Sequence, residues 1–434
     1  MPKRPSHSMG MAESAVQMAH AEGASNGASG INWLDRWLLG RIVERAGRPP
    51  VAMTLWDGDD VYCPAEAIKG RIRFCDRGAL WSSILNPEVG FGDCYSAGRI
   101  VIEGDFVTVL REVFRSIDRA STQRFKRDLL GRIPKAARNT RAGSQKHIEY
   151  HYDLGNDFYR LWLDERMVYT CAYFETAAVT LEQAQLAKMD LVCRKVALEP
   201  GMRVIEAGCG WGSLALHMAE HYGVEVRAFN LSAEQVEFAR ERAKSAGLEG
   251  RVEFIQDDYR NITGVCDAFV SVGMLEHVGP DNYETLADVI HRSLARDGQG
   301  LIHSVGRSLP TPPSAWLEKR IFPGSYPPSL REMMSIFEPH QLSIIDVENL
   351  RLHYAKTLME WLQRFENNVD KIRQMYDDNF VRAWRLYLGG CAAGFASSST
   401  QLYQVVFARP EHNTIPMTRG HLHTTTQPTR WKLD

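Results

Sequence analysis

The stretch "RVIEAGCGWGSLALHMAEHYG", residues Arg203 to Gly223, decides the fold. An apolar run leads into glycines at positions 208, 210 and 212, and the residues that follow have helical spacing. This order predicts a β-strand, a tight turn and an α-helix. Glycine lets the backbone approach a ligand closely, and the first turn of the helix offers free N–H groups. The stretch therefore predicts the ligand-binding turn of a doubly wound α/β fold.

The residues around these glycines narrow the choice of ligand. Glu206 stands directly before the turn, where a carboxylate suits an amine or a cation and disfavours a pyrophosphate. The G-x-G-x-G spacing also departs from the G-x-G-x-x-G that is typical of dinucleotide binding. S-adenosylmethionine carries an amine and a sulfonium and no phosphate, so it is the expected ligand. "FNLSAEQ" (229–235) then ends the next strand near the ribose, and "QDDY" (256–259) ends the third near the adenine.

Strand and helix patterns alternate around this stretch. Apolar segments that predict strands are "MRVIEAG", "VEVRAFN", "VEFIQDD", "DAFVSVGM", "QGLIHSVG" and "QLYQVVFAR". Helical patterns between them predict βαβ units and a mostly parallel sheet with helices on both faces. The late helical stretch 355–395 is rich in aromatic residues and predicts a cover over a pocket.

The chain divides into five predicted parts. Residues 1–30 and 410–434 are polar and aperiodic, which is typical of tails. Residues 31–120 predict a small α+β domain, 121–145 a basic helical linker, and 146–409 the main α/β domain. The first helix of the small domain has an apolar stripe that we expect to face its core. The stripe consists of Trp33, Leu34, Trp37, Leu38 and Ile42.

Composition limits the class of protein. The chain has 434 residues, 44% of them hydrophobic, and a net charge of −2, so nucleic-acid binding is not expected. No apolar run is long enough to cross a bilayer, and the start lacks the apolar segment of a signal peptide. The eight cysteines are scattered without metal-binding spacing, which favours a cytoplasmic protein with reduced thiols. In contrast, residues 111–146 hold 11 Lys/Arg against 3 Asp/Glu, which suits an anionic surface.

Several motifs occur together in one order. They are "HYDLGNDFY" (151–159), "YTCAYF" (169–174), "EAGCGWG" (206–212), "LSAEQ" (231–235), "SVGMLEHVG" (271–279), "IHSVG" (302–306) and "FPGSY" (322–326). With them the chain resembles the cyclopropane-fatty-acyl-phospholipid synthases and the related mycolic acid cyclopropane synthases. The resemblance covers about residues 146–409 and extends less specifically to "LNPEVGFGDCYSAG" in the small domain. It implies a Rossmann-like class I S-adenosylmethionine-dependent methyltransferase domain with a helical lid.

The resemblance also implies an activity. A methylene group from S-adenosylmethionine would be added to the cis double bond of an unsaturated acyl chain in a membrane phospholipid. The intermediate would be a carbocation, which a dry, aromatic pocket protects and stabilises. The enzyme would visit an anionic membrane surface, with residues 111–146 as its contact, and the small domain could bind an acyl chain or form a homodimer. Alternatives are a lipid C-methyltransferase that leaves a methylene or methyl branch, modification of mycolate-type lipids, and an inert lipid-binding module.

Site residues follow from the same resemblance. A bound bicarbonate ion would act as the base, held by Cys171, Glu276, His303, the backbone N–H of Val305, and Tyr354. Cys391 corresponds to a further active-site cysteine, to which we give a lower rank because cation chemistry needs no covalent nucleophile. The aromatic cover would consist of Trp316, Phe322, Tyr326, Trp361, Phe365, Tyr387 and Phe395. S-adenosylmethionine would be bound by Tyr169, Thr170, Glu206, Gly208, Cys209, Gly210, Gly212, Asn230, Leu231, Ser232, Gln235, Asp258 and Tyr259.

Overall fold

The computed structural model of the chain describes residues 30–65, 67–125 and 154–423. The predicted tails lie outside these ranges up to residue 29 and from residue 424, and the predicted basic linker lies outside them from residue 126. The domain boundaries drawn from the sequence stay predictions.

The N-terminal part forms a small α+β unit. Its helices are α1 (Trp33–Arg45), α2 (Arg77–Leu85), α3 (Gly90–Ser96) and α4 (Phe106–Phe125). Its strands are β1 (Ala52–Thr54), β2 (Asp60–Tyr62), β3 (Arg71–Phe74) and β4 (Ile100–Glu103). The sheet order is β2-β1-β3-β4, with only the β1–β3 pair parallel. Three of these strands were predicted, and the short, half-exposed β2 was not.

The predicted apolar stripe of α1 is wrong at both tryptophans. Trp33 is 77% exposed and Trp37 is 54% exposed, whereas Leu38, Leu39 and Val43 are buried. The helix is rotated so that Asp35 also points inward, where Arg77 donates two hydrogen bonds of 2.8 and 2.7 Å to its carboxylate. This ion pair, in which the side chain of Asp35 is buried and that of Arg77 is 34% exposed, holds α1 with its leucine edge toward the core.

The main domain contains a seven-stranded sheet in the order β10-β11-β9-β8-β5-β6-β7. Its strands are β5 (Arg203–Ala207), β6 (Glu225–Asn230), β7 (Val252–Gln256), β8 (Cys266–Val272), β9 (Leu294–Gly306), β10 (Ser343–Asn349) and β11 (Gln401–Ala408). The first five are parallel, and β11 pairs antiparallel with both β9 and β10. The sequence did not predict β10, because this edge strand is largely exposed and lacks an apolar alternation.

Helices cover both faces of this sheet. The helices of this domain are α5 (Asn156–Arg160), α6 (Leu181–Lys195), α7 (Ser213–Tyr222), α8 (Ala233–Ser245), α9 (Tyr283–Ser293), α10 (Ala315–Arg320), α11 (Leu330–Met334), α12 (Arg351–Asn367), α13 (Val369–Met375) and α14 (Asp378–Ser397). One buried cluster joins the sheet to α6, α7 and α8, and another joins it to α9 and α11. The predicted doubly wound fold is therefore confirmed, with α12 to α14 as the helical lid.

The small unit packs on this lid. Phe106 of α4 packs closely against Gly389 of α14. A Cβ added at Gly389 would lie 2.6 Å from the phenyl ring. Arg320 of α10 donates two hydrogen bonds, of 3.0 and 2.7 Å, to the carboxylate of Asp93 in α3. Trp316 also donates to Asp93, at 3.2 Å, so its indole faces the small unit and not the pocket that we predicted for it. The N-terminal unit thus supports the lid directly.

Three further observations concern the whole of the described chain. None of its described helices is long and apolar enough to cross a membrane. All eight cysteines lie within the described ranges, and all are free thiols. Within the same ranges, no group of three or more His, Cys, Asp or Glu side chains is placed to hold a metal ion.

Candidate active site

A cavity of about 120 Å³ lies at the point where the strand order reverses, between β5 and β8. In open α/β sheets, ligands bind outside the carboxyl ends of the strands at such a point. The cavity is lined by Met167, Val168, Tyr169, Thr170, Lys188, Glu206, Gly208, Cys209, Gly210, Trp211, Ser213, Leu214, Asn230, Gln235, Val272, Gly273, Met274 and His277. Eight of the thirteen predicted cofactor residues are among them.

The glycine loop is shaped as the sequence suggested. Gly212 has φ +81° and begins α7, and a Cβ there would lie 2.6 Å from the ring of Phe254. Gly208 has φ +87° and leaves no room for a Cβ beside Met274. Trp211 of this loop is buried. Its ring lies 5.0 Å from that of Tyr159 and its Nε1 donates to Asn156 at 2.6 Å, which ties the loop to α5.

Two buried titratable groups, a carboxyl and an amine, face this cavity. Glu206 is buried at the end of β5, and burial raises the pKa of its carboxyl to about 8. Its Oε2 has no hydrogen-bond partner among the described residues. Lys188 of α6 is only 1% exposed, and burial lowers the pKa of its ammonium to about 8, against the opposing effects of Asp164, Cys171 and Glu206. The sequence analysis missed Lys188, because its position in α6 does not by itself show that it faces a ligand.

The segment that carries Tyr169 and Thr170 is held from both sides. Lys188 donates from Nζ to Thr170 Oγ1 at 3.0 Å, and Gln185, one turn earlier, donates to the carbonyl of Thr170 at 2.9 Å. On the lid side, the hydroxyls of Tyr169 and Tyr387 are 2.6 Å apart. The segment that carries Tyr169 and Thr170 is thus hydrogen-bonded to α6 on one side and to the lid on the other.

The predicted cofactor residues at the ends of β6 and β7 contribute unequally to the lining of the cavity. Asn230 donates from Nδ2 to the carbonyl of Gly210 at 3.2 Å and to Gln235 Oε1 at 2.7 Å, so it joins the loop to α8. Ser232 caps α8 by accepting the N–H of Gln235. The remaining predicted cofactor residues do not line the cavity. These are Gly212, Leu231, Ser232, Asp258 and Tyr259.

Glu276 lies in the short helical turn after β8. It is 8% exposed, and its Oε1 accepts the backbone N–H of Val305 at 2.6 Å. We predicted that the backbone N–H of Val305 donates to the bicarbonate ion. In the structure it donates to Glu276, another residue of the same predicted site. Oε2 has no partner among the described residues, and burial raises the pKa of the carboxyl to about 7. This carboxylate can accept a proton or a hydrogen bond close to neutral pH.

His303 of β9 is buried and its protonation is defined by its neighbours. Lys195 donates from Nζ to Gln404 Oε1 at 2.7 Å, which turns the amide nitrogen of Gln404 toward His303 Nδ1 at 3.0 Å. Nδ1 therefore accepts, and the ring proton lies on Nε2. Burial lowers the pKa of His303 well below its ordinary value, so the ring is neutral. The sequence analysis did not identify Gln404 or Lys195.

The other predicted catalytic residues lie on the segment after Thr170 and on the lid. Cys171 is fully buried with its Sγ 3.2 Å from the carbonyl of Ala172, and burial raises its thiol pKa well above the usual range. Burial raises the pKa of Cys391 to about 12, so neither thiol is a ready nucleophile. The ring of Tyr354 lies 4.6 Å from Phe395 and 5.9 Å from Trp361.

The aromatic cover is concentrated around Tyr169. Its ring centroid lies 5.3 Å from Trp162 and 5.4 Å from Trp361, and Phe322 lies 5.3 Å from Tyr387. Tyr326 was predicted in this cover, but its hydroxyl donates to Glu332 at 2.7 Å in a separate contact. The site therefore combines a charged cofactor cavity, a buried carboxylate and histidine, and an aromatic lid.

A sequence model of the mycolic acid cyclopropane synthetase family matches residues 139–405, which is more than half of the chain. The chain belongs to this family. A probable fatty acid methyltransferase of Pseudomonas putida is 33% identical over 387 residues, which cover 86% of this chain and 96% of that protein. The cyclopropane-fatty-acyl-phospholipid synthase of Escherichia coli K12 is 42% identical over 270 residues, covering 62% of this chain and 69% of that one.

The fold agrees with this family membership. The crystal structure of mycolic acid cyclopropane synthase CmaA1 with SAH and CTAB is similar, with a TM-score of 0.58 and 29% identity. It covers 61% of this chain and 98% of that one. The cyclopropane synthetase family member described here is thus an S-adenosylmethionine-dependent methyltransferase, which disfavours the inert lipid-binding module.

Proposed function

We propose that this enzyme transfers a methylene group from S-adenosylmethionine to the cis double bond of unsaturated acyl chains in membrane phospholipids. The observation that carries the proposal is the buried carboxylate of Glu276, whose Oε2 has no hydrogen-bond partner among the described residues. Methylation of an amine or a hydroxyl releases an acidic N–H or O–H proton, which water can accept. Methylation of an alkene instead leaves a carbocation that water would quench, so a base within a dry pocket must remove a C–H proton.

The reaction on the lipid proceeds in two steps. The alkene π electrons attack the methyl carbon, the S–CH₃ bond breaks, and neutral S-adenosylhomocysteine leaves. The cation that remains on the acyl chain is attracted to aromatic faces, such as those grouped around Tyr169. A base then takes a proton from the new methyl group, and the electron pair of that C–H bond closes the three-membered ring.

Bicarbonate is the base that we propose, as the family resemblance implies. The types of group suit a small anion, since His303 offers Nε2–H and Tyr354 a hydroxyl, while Glu276 Oε2, which has no partner among the described residues, can accept the anion's own proton. Cys171 would add a weak donor. The N–H of Val305 would be shared with Glu276, to which it donates here. When bound, bicarbonate would supply a proton acceptor that none of these side chains provides alone.

The substrate places the enzyme at a membrane. Residues 111–146 carry an excess of positive charge, and we propose that they contact anionic headgroups. Exposed Trp33 and Trp37 on α1 are of the type that favours a membrane interface. If so, high salt releases the protein from anionic vesicles, and removing the charges of Arg124, Lys126 and Arg127 weakens binding. Binding that neither change affects would contradict this part of the proposal.

A second candidate function is lipid C-methylation without ring closure. The relative named as a probable fatty acid methyltransferase matches 86% of the chain, including its N-terminal unit, whereas the phospholipid synthase of E. coli matches 62%. If a 1,2-hydride shift first moves the charge of the same cation to the branched carbon, loss of a proton from the methyl group gives a methylene branch, whereas loss of a chain proton gives a methyl branch beside a double bond. The position of the base therefore separates the two products.

Purified enzyme incubated with S-adenosylmethionine, bicarbonate and vesicles of unsaturated phosphatidylglycerol tests the proposal. We expect a lipid that has gained the mass of one CH₂ group and shows cyclopropane protons by NMR. Olefinic protons with the same mass gain would support branching instead. No gain of mass with folded, cofactor-binding enzyme would exclude both.

A further inference from the structure

Lys188 is a buried cation in a cavity that receives a positively charged cosubstrate. Its ammonium has one hydrogen-bond partner among the described residues, Thr170 Oγ1 at 3.0 Å. No carboxylate of those residues pairs with it, although Glu206 lines the same cavity. A lysine that is 1% exposed and lacks an ion-pair partner is costly to the fold, so its presence calls for a ligand.

The two charges match one end of the cosubstrate. The methionyl end of S-adenosylmethionine carries an ammonium and a carboxylate on the same carbon. Glu206 Oε2, which has no hydrogen-bond partner among the described residues, complements the ammonium, and the positive charge of that ammonium favours the ionised carboxylate. Lys188 and the hydroxyl it contacts complement the carboxylate, because a charged donor shortens and strengthens a hydrogen bond to an anion.

The direction of the Lys188–Thr170 hydrogen bond determines where the hydroxyl hydrogen of Thr170 can be donated. An ammonium can only donate, so Nζ occupies an acceptor position of Thr170 Oγ1. The hydroxyl hydrogen of Thr170 is then left to be donated elsewhere, and Thr170 lines the cavity. Gln185 holds the carbonyl of the same residue at 2.9 Å, which keeps the hydroxyl in place.

We infer that Lys188 is a positioning residue for the methionyl carboxylate, acting through the hydroxyl of Thr170 while Glu206 receives the ammonium. This inference rests on the cavity being the S-adenosylmethionine site. It assigns to α6 a role in cofactor selectivity that none of the sequence motifs indicated.

Two ligands that differ in the methionyl amino-acid group test the inference. S-adenosylhomocysteine contains the amino-acid group, and 5′-methylthioadenosine lacks it but keeps the adenosine and the sulfur. Calorimetry with the full-length enzyme would give both dissociation constants for wild type, Lys188→Met and Thr170→Val. We expect each variant to weaken S-adenosylhomocysteine roughly 10- to 100-fold, the range of a hydrogen bond to a charged group, with little change for 5′-methylthioadenosine.

Lys195 provides a matched control. It is also a buried lysine of α6, but it pairs with Glu348 and Gln404 and does not line the cavity. Lys195→Met should leave both dissociation constants unchanged, and only binding is compared, because Lys195 also orients Gln404 beside His303. If Lys188→Met does not fold, Thr170→Val still decides, because it removes one hydroxyl and no charge.

The outcomes separate this inference from the proposed function. Equal losses for both ligands would mean that Lys188 only supports the fold, and no loss for either would mean that it does not act on the ligand. Both results would overturn the inference and leave the methyltransferase intact. Failure of wild type to bind either ligand would instead contradict the cofactor site itself.

Discussion

At the scale of single residues, burial controls the chemistry of the site. Glu206, Glu276 and His303 are nearly inaccessible, and in each case removal from water favours the neutral form. His303 is consequently a neutral donor, and the carboxyl of Glu276 titrates near neutral pH, where it can exchange a proton with little cost. An exposed glutamate with an ordinary pKa would be a much weaker proton acceptor.

Glu276→Gln should lower turnover roughly 10²- to 10⁴-fold, the usual contribution of a positioned base, and leave S-adenosylhomocysteine binding within a factor of about two. The amide oxygen can still accept the N–H of Val305, so the local fold is preserved. Turnover and binding by calorimetry provide the check. Glu284→Gln, which changes an exposed carboxylate on α9, is the control and should match wild type.

The pH dependence follows from the same group. The proposed role needs the ionised carboxylate, and the pKa of Glu276 is raised to about 7. At saturating S-adenosylmethionine, the kcat/KM of the wild type for phospholipid should therefore fall as pH drops through about 7 and level off above it. A flat profile between pH 5 and pH 8 would show that Glu276 does not carry this role.

At the scale of elements, the glycine loop is the feature that the sequence predicted most completely. The strand, turn and helix all follow from periodicity and from the glycines, and positive φ angles at all three glycines explain why glycine is needed. Lys188 and Gln404 could not be found in this way, because nothing local marks which polar residue of an apolar stripe faces a ligand. The rotation of α1, with both tryptophans outside, depends on the distant Arg77 and was equally inaccessible to local pattern.

Gly212→Ala should destabilise the protein by about 3 kcal/mol or more. It combines a left-handed backbone with a Cβ 2.6 Å from Phe254, and each of these effects costs about 1–3 kcal/mol. Gly247→Ala shares the positive φ, at +68°, but meets no atom within 4 Å and should lose only about 1 kcal/mol. Urea unfolding measures both. Equal losses would mean that crowding against Phe254 does not matter.

At the scale of the whole molecule, the N-terminal unit supports the catalytic lid. Helix α14 contacts α3 and α4 on one side and provides Tyr387, which meets Tyr169 of the cofactor segment, on the other. Family likeness to shorter mycolate enzymes covers the main domain alone, so this support could be read only from the structure.

Substitutions at two adjacent glycines of α14 test whether the N-terminal unit supports the lid. Gly389→Ala would place a Cβ 2.6 Å from the Phe106 ring, so we expect a net loss of about 1–2 kcal/mol and slower turnover. Gly390→Ala meets no atom within 4 Å and should gain about 0.5–1 kcal/mol from better helix propensity. Thermal unfolding and turnover give the comparison. Stabilisation by both substitutions would contradict the packing of α4 on the lid.

The account depends most on the fate of the transferred methyl group, and one labelling measurement reports it directly. Enzyme supplied with S-adenosylmethionine that carries a trideuterated methyl group is incubated with unsaturated phospholipid vesicles, and the product is analysed by mass spectrometry and NMR. Loss of a proton from the new methyl predicts a cyclopropane whose added carbon retains two deuterium atoms. An acyl chain with an intact trideuterated methyl branch would contradict ring closure by a base at this site.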